Sequence, residues 1–175
     1  MAINSDSIGQ EANMDRLWAP WRIGFILKGA SKGDCFLCQY PKENKDEAHL
    51  ILYRGKDNFI ILNAYPYNSG HLMVVPYRHI GKLEDMADDE AEEHFTLVRQ
   101  SVTLLTRVMQ PAGFNTGMNL GRVAGAGVAD HIHTHIVPRW QGDANFMPVV
   151  SETKVMPESL TMTYRRLKDG LDSLV

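Results

Sequence analysis

Hydrophobic and polar positions follow different rhythms along this chain, and the rhythms assign its elements. Short runs rich in Ile, Leu and Val occupy 50–53, 59–62 and 72–75, with turn residues Arg54-Gly55 and Asn68-Ser69-Gly70 between them, which is the pattern of short strands. Over Asp88–Met109, Phe95, Val98, Val102, Leu105 and Met109 recur at three- and four-residue steps, predicting a helix with one apolar face. Acidic residues crowd its first turn, where the macrodipole favours them, and Pro111 follows its end. Runs 114–120 and 131–137 read as two further strands joined by the glycine-rich stretch 121–127. A last helix over about 157–174 carries Leu160, Tyr164, Leu167, Leu171 and Leu174 on one stripe, with Pro157 in its first turn. Consecutive short strands and two separate helices predict an α+β fold on a mainly antiparallel sheet. Strands and helices do not alternate regularly, which argues against a parallel α/β arrangement.

Residues 1–14 carry no such rhythm and read as a flexible lead-in to a single domain over 15–175. Leu17, Trp18, Pro20, Trp21 and Ile23 form an aromatic arm that covers either the body or a partner subunit. Composition adds exclusions. A chain of 175 residues with 44% hydrophobic and 22% charged positions is neither disordered nor fibrous. Its net charge of −3 gives no global basic field for nucleic acid. Its apolar runs fall far short of the ~20 residues needed to cross a bilayer, and residues 1–13 lack a signal-peptide core, so a cytoplasmic protein is expected. Two cysteines, Cys35 and Cys38, cannot build a disulfide framework; their spacing suggests a metal or redox pair in a reducing compartment.

The chemistry concentrates at His131-Ile132-His133-Thr134-His135. On a strand, residues two apart share a face, so the three imidazoles project one way and Ile132, Thr134 and Ile136 the other. Three readings follow: histidines of an exposed strand, a tris-histidine zinc site, or a nucleophilic histidine with supporting hydrogen bonds. Ligands spread along one straight strand converge poorly on a single ion, and alternate spacing is improbable by chance among seven histidines, which favours the nucleophile. Neutral imidazole attacks at cell pH without a separate base, provided one nitrogen holds the proton and the other presents its lone pair. Cys35-x-x-Cys38, in a tight knuckle at 33–38, reads as a redox pair, two buried thiols or half a zinc site. His49 and His94 read as solvated surface residues.

The triad followed by Ile136-Val137 resembles the histidine triad (HIT) family, as do Ile61-Leu62-Asn63, Pro66 and Gly70-His71-Leu72-Met73-Val74-Val75-Pro76. Within the family the chain is similar to the bacterial diadenosine tetraphosphate phosphorylases. That similarity is carried by Arg16-Leu17-Trp18-Ala19-Pro20-Trp21-Arg22, Gly113-Phe114-Asn115-Thr116-Gly117-Met118-Asn119-Leu120-Gly121 and Pro138-Arg139-Trp140-Gln141-Gly142-Asp143, and it covers about residues 15–165. The resemblance implies a HIT-like fold and makes the middle histidine, His133, the nucleophile toward an α-phosphate. It implies that His135 partners the phosphate and leaving-group oxygens, and that Asn63, His71 and Asn119 sit around the nucleotide, Asn63 toward the ribose. Gly125 and Gly127 lie in a loop whose backbone N–H groups can approach phosphate closely. The family's Gln, Ser or Thr shortly before the triad has no counterpart in Gly125-Ala126-Gly127-Val128-Ala129-Asp130.

The same resemblance supplies two histidines to the cysteine pair. Some family members, and the related galactose-1-phosphate uridylyltransferases, bind structural zinc through residues matching Cys35, Cys38, His79 and His131. Two thiolates and Zn²⁺ sum to zero charge, which suits a buried staple. The implied activity is nucleotidyl transfer through a nucleotidyl-histidine. With inorganic phosphate as acceptor it converts diadenosine tetraphosphate to ATP and ADP. With water it is a hydrolase of dinucleoside polyphosphates or nucleotide phosphoramidates. A nucleotide-binding sensor without turnover is the third reading. The expected partners are a small nucleotide substrate, inorganic phosphate and further copies of the chain in a homodimer or larger homo-oligomer, with no nucleic acid and no membrane.

Overall fold

Phe59-Ile60-Ile61-Leu62 and Leu72-Met73-Val74-Val75 contain no polar alternation, so strands made from them have to be covered on both faces. In the computed structural model, which describes residues 35–143 and 156–172, they form β2 (Asn58–Leu62) and β3 (Leu72–Pro76), and every residue of both is buried. With β1 (Ile51–Arg54), β4 (Gly113–Met118) and β5 (Thr134–Arg139) they make a five-stranded sheet of order β1-β2-β3-β5-β4. Every neighbouring pair is antiparallel, as the sequence predicts. The fifth strand starts later than expected, at Thr134 rather than His131, so His131, Ile132 and His133 lead into the ladder from outside it.

Two one-turn helices, α1 (Phe36–Gln39) and α2 (Asp46–His49), precede the sheet, and the two expected long helices are α3 (Asp88–Met109) and α4 (Leu160–Asp172). The long helices cover one face. Leu97, Leu104 and Leu105 of α3 and Tyr164, Leu167 and Leu171 of α4 meet Leu52, Ile60, Leu62, Leu72, Val74 and Ile136. On the other face, Leu37 of α1 and Val128 pack against Ile51, Phe59, Ile61, Met73 and Val75. Among the described residues no helix is long and apolar enough to cross a membrane. Leu174 and the arm residues Leu17, Trp18, Pro20, Trp21 and Ile23 lie outside the described residues.

The buried stripe of α3 differs from the one read off hydrophobicity. Phe95 is 72% exposed, and the stripe runs through Glu90, His94, Leu97, Ser101, Leu104 and Leu105. Glu90 and His94 turn inward because each has polar partners there: Arg78 ion-pairs with Glu90, and Asn58 and Thr134 bond His94. Glu93 ties the same helix to the β1–β2 turn, accepting the backbone N–H groups of Lys56, Asp57 and Asn58 at 2.6, 2.7 and 2.8 Å. Burial raises its carboxyl, but bonds from the Asn58 side chain and those amides outweigh it and hold the group below its ordinary value. Before β3, Gly70 takes φ +74°, and a Cβ there would meet Met109 Sδ at 2.5 Å, so both backbone and packing require glycine in the turn that delivers His71.

Gly170 sets the closeness of the helix pair. A Cβ at this position would stand 2.3 Å from Val108 Cγ2 of α3, a branched side chain with little freedom to move. Gly170→Ala gains about 1 kcal/mol of helix propensity but overpacks the contact at a cost of roughly 1–3 kcal/mol. The expected outcome is a lower melting temperature, read by circular dichroism; a higher one would show that α4 slides freely over α3.

Candidate active site and metal cluster

A cavity of about 190 Å³ opens on the sheet face opposite the long helices, with His133 and His135 in its wall. Phe36, Leu37 and Tyr40 supply an apolar side, Asn63 lies at the end of β2, and Gly127 and Val128 come from the loop before the triad. Alternation along β5 explains the sidedness. His133 and His135 face the cavity, while Thr134 and Ile136 face the helices, where Thr134 bonds His94 and Ile136 joins the core.

Hydrogen-bond partners fix which nitrogen of each imidazole carries the proton. His133 Nδ1 lies 3.0 Å from the carbonyl of His131, which can only accept, so Nδ1–H donates and Nε2 is the basic nitrogen. His71 is fully buried, and the backbone N–H of Tyr67 donates to its Nδ1 at 3.1 Å; its proton is therefore on Nε2, which donates to His135 Nδ1 at 3.0 Å. His135 in turn carries its proton on Nε2. The Tyr67 ring stacks on His71 with centroids 4.9 Å apart, and the rings of His133 and His135 meet edge to face at 4.8 Å. The pair thus combines a lone pair on His133 with an N–H donor on His135.

The first triad histidine points elsewhere. His131 Nε2–H donates to the Pro76 carbonyl at 2.8 Å, which turns Nδ1 toward Cys35 Sγ at 3.3 Å and Cys38 Sγ at 3.4 Å. Cys38 Sγ is also 3.3 Å from His79 Nδ1, and the four ligand atoms all lie within 4.8 Å of one another. Tetrahedral coordination at ordinary Zn–S and Zn–N lengths separates such atoms by roughly 3.5 Å. The set fits a metal ion, and the Pro76 carbonyl is the outer partner that orients a ligating imidazole. Burial and the adjacent Cys35 push the Cys38 thiol up to about 11; two thiolates side by side there would need a cation between them.

The remaining expected residues scatter. Asn63 lines the cavity; its amide nitrogen lies 3.4 Å from His71 Nδ1, and its oxygen accepts from Tyr65 N–H. Asn119 is away from the cavity wall and donates to the Gly125 carbonyl at 3.3 Å, while the Gly125 N–H donates to Arg122. Arg139 is held by Asp143 and Asn115. His94 is not a surface residue, and His49 is half-buried, its Nε2 3.0 Å from the exposed Glu43 carboxylate. His49 stacks on Tyr40 at 4.0 Å and lines the cavity, and His94 is only 4% exposed because its two nitrogens bond Asn58 and Thr134. The available signals were Thr134, a hydroxyl between two isoleucines on a buried face, and the spacing of Glu90, His94, Leu97 and Ser101 along α3.

Comparison with known proteins places these residues in context. The HIT domain model matches residues 44–142. The chain is 41% identical over 167 residues to the AP-4-A phosphorylase of Mycobacterium tuberculosis, covering 91% of this chain and 86% of that protein. It is 33% identical over 93 residues to the asymmetrical bis(5'-nucleosyl)-tetraphosphatase of Schizosaccharomyces pombe, covering 53% of this chain and 50% of that protein. Among solved structures, a zinc-bound histidine triad family protein from Mycobacterium smegmatis superimposes with a TM-score of 0.65 at 22% identity, over 81% of this chain and 95% of that one.

Burial pushes His94 down to about 4, against the pull of Glu90 and Glu93. Below about pH 6.5 the unfolded chain takes up a proton at this residue that the folded chain refuses. Stability is therefore complete above that pH and falls as the pH drops toward 4, by something on the order of 3 kcal/mol across the window. Urea unfolding between pH 4 and 7 should show a distinctly shallower dependence in His94→Gln than in the native chain; equal slopes would mean that His94 is not the group responsible.

Proposed function

Because the chain belongs to the HIT family, we propose that it is a nucleotidyl-transfer enzyme that cleaves dinucleoside polyphosphates, with phosphorolysis of diadenosine tetraphosphate as its reaction. The observation that carries this reading is the tautomer of His133. Its Nδ1–H is committed to the His131 carbonyl, so the cavity-lining ring has its lone pair on Nε2. On this reading Nε2 attacks the α-phosphorus, a P–N bond forms and the P–O bond to the remaining phosphates breaks, releasing ATP. His135 donates Nε2–H to the phosphate oxygens and helps neutralise the departing one. Inorganic phosphate then attacks the adenylyl-histidine, the P–N bond breaks and ADP leaves. One difficult displacement becomes two easier ones. Asn63 holds the ribose from the cavity wall, and Gly127 brings backbone close to the phosphates. Asn119 and Gly125 stay in the proposal as phosphate-side residues of the loop before the triad, tied to each other by the bond from the Asn119 amide to the Gly125 carbonyl. The hydrolase reading, with water as acceptor, draws its support from the similarity to the fission-yeast tetraphosphatase.

Zinc held by Cys35, Cys38, His79 and His131 completes the proposal. Four protein ligands would leave it no open position for water, so it would serve the fold by joining α1 to the triad segment. Working as a cytoplasmic homodimer or larger homo-oligomer is part of the same proposal, and β4, an outer strand whose central residues are exposed, is a surface suited to it.

Two experiments test this reading. Products are separated with and without inorganic phosphate: ATP plus ADP that depend on phosphate are expected, with His133→Asn lower by about 10³-fold or more. AMP in equal amount under both conditions would select the hydrolase instead. Chelation should lower the melting temperature by several degrees before the rate per folded molecule changes; freshly purified protein without zinc by metal analysis would end the structural-zinc proposal.

A further inference from the structure

Thr134 is a polar interruption in the helix-facing side of the triad segment, flanked by the buried Ile132 and Ile136. Its Oγ1 lies 2.7 Å from His94 Nε2, and His94 Nδ1 lies 2.8 Å from Asn58 Oδ1. Donor direction along this chain is determined at its far end. Asn58 Nδ2 faces two acceptors, the Glu90 carbonyl at 3.0 Å and the Glu93 carboxylate at 3.0 Å, so its oxygen faces His94. His94 then holds its proton on Nδ1, and Nε2 accepts the Thr134 hydroxyl proton. The chain runs from the β1–β2 turn, through α3, to the one residue between His133 and His135. Asn58, His94 and Thr134 are 0%, 4% and 7% exposed, so no water competes for these bonds.

Apolar packing decides which face of β5 is inward, and pairing with β3 and β4 sets its register, but the ladder begins only at Thr134, so neither fixes the rotation of the backbone that enters it. A buried hydroxyl-to-imidazole bond is directional and anchors the strand at its first residue. We propose that His94, acting through Thr134, is a positioning residue for His133 and His135. It fixes the rotation of the backbone between them, so that the His133 bond to the His131 carbonyl and the His135 bond to His71 form together. This role rests on the reading of His133 as nucleophile. His94 touches no substrate.

Conservative variants separate positioning from simple stabilisation. Thr134→Val removes the hydroxyl at constant shape, and Thr134→Ser keeps it. His94→Gln carries its amide at the distance of Nε2 and can still accept from Thr134; His94→Asn carries it at the distance of Nδ1 and can hold only Asn58. Thr134→Val and His94→Asn are expected to lose about tenfold or more in kcat with KM within about twofold, as a small misplacement of reacting groups does. Thr134→Ser and His94→Gln should keep most of the rate even though His94→Gln melts lower. Rates that follow melting temperature instead of the Thr134 bond would overturn the proposal. A second readout needs no turnover: solvent exchange of the His133 Nδ1 proton, by long-range ¹H–¹⁵N spectroscopy, should quicken in Thr134→Val and not in Thr134→Ser. Equal exchange in both would overturn the proposal on its own. If the native chain fails to cleave the dinucleotide, the nucleophile reading falls, while the exchange measurement still decides positioning; if the His94 variants do not fold, the Thr134 pair decides it.

Discussion

A neutral imidazole has one proton for two ring nitrogens, and burial obliges both nitrogens to face a complementary group. That constraint governs the active face of this fold. The Pro76 carbonyl accepts the N–H of His131, the His131 carbonyl accepts that of His133, and the Tyr67 amide forces the proton of His71 onto the side of His135. Each assignment excludes the alternative tautomer, since a carbonyl cannot donate and a backbone N–H cannot accept. The cavity therefore meets a basic nitrogen on one ring and a donor on the next through connectivity alone, with no ionised side chain needed to enforce it.

His131 links two functions through different atoms of one residue. Its ring turns Nδ1 to the cysteines, while its main-chain carbonyl receives the His133 proton. Anything that fixes the ring also fixes the peptide plane that determines the tautomer two residues later. The Cys/His cluster and the cavity consequently share a wall: Leu37, between the two cysteines, is packed into the sheet at 1% exposure and also lines the cavity. The doubly buried β2 and β3 make this possible, because a sheet covered on both faces holds the knuckle on one side and the long helices on the other without slack.

Much of this was legible in the residue pattern. Uninterrupted apolar runs marked the central strands, the three- and four-residue spacing marked Asp88–Met109, and two of the alternate histidines, His133 and His135, marked the cavity face, whereas His131 turned to the cysteines. Those signals are local, and local periodicity is what hydrophobicity records. What escaped was the pairing of polar groups distant in sequence. His94 lies 40 residues from Thr134 and 36 from Asn58, and nothing in the window around it shows that a hydroxyl and an amide await it. For the same reason the apolar stripe of α3 held at Leu105, with Val98, Val102 and Met109 packed on the core, but failed at Phe95: Phe95 advertises burial by composition, whereas Glu90 and His94 are buried by partners elsewhere in the chain. His49 differs: its partners Tyr40 and Glu43 are near in sequence, and it is half-buried rather than fully solvated because its ring stacks on Tyr40 at the cavity.

The cavity also resolves how a chain of net charge −3 could handle a polyphosphate on the proposed reading. Among the described residues that line it there is no Lys or Arg; its polar side chains belong to three histidines, Asn63, Tyr40 and Tyr65. Charge-assisted bonds from fixed cations are roughly twice as strong as neutral ones, and they would hold substrate and released polyphosphate alike. Such uniform binding lowers KM without speeding the chemical step. Neutral donors at fixed angles favour instead the geometry in which charge is moving toward the leaving oxygen. On the proposed reading, directional N–H groups set by the tautomer chain would favour the chemical step over ground-state binding in a way that a ring of positive charge would not.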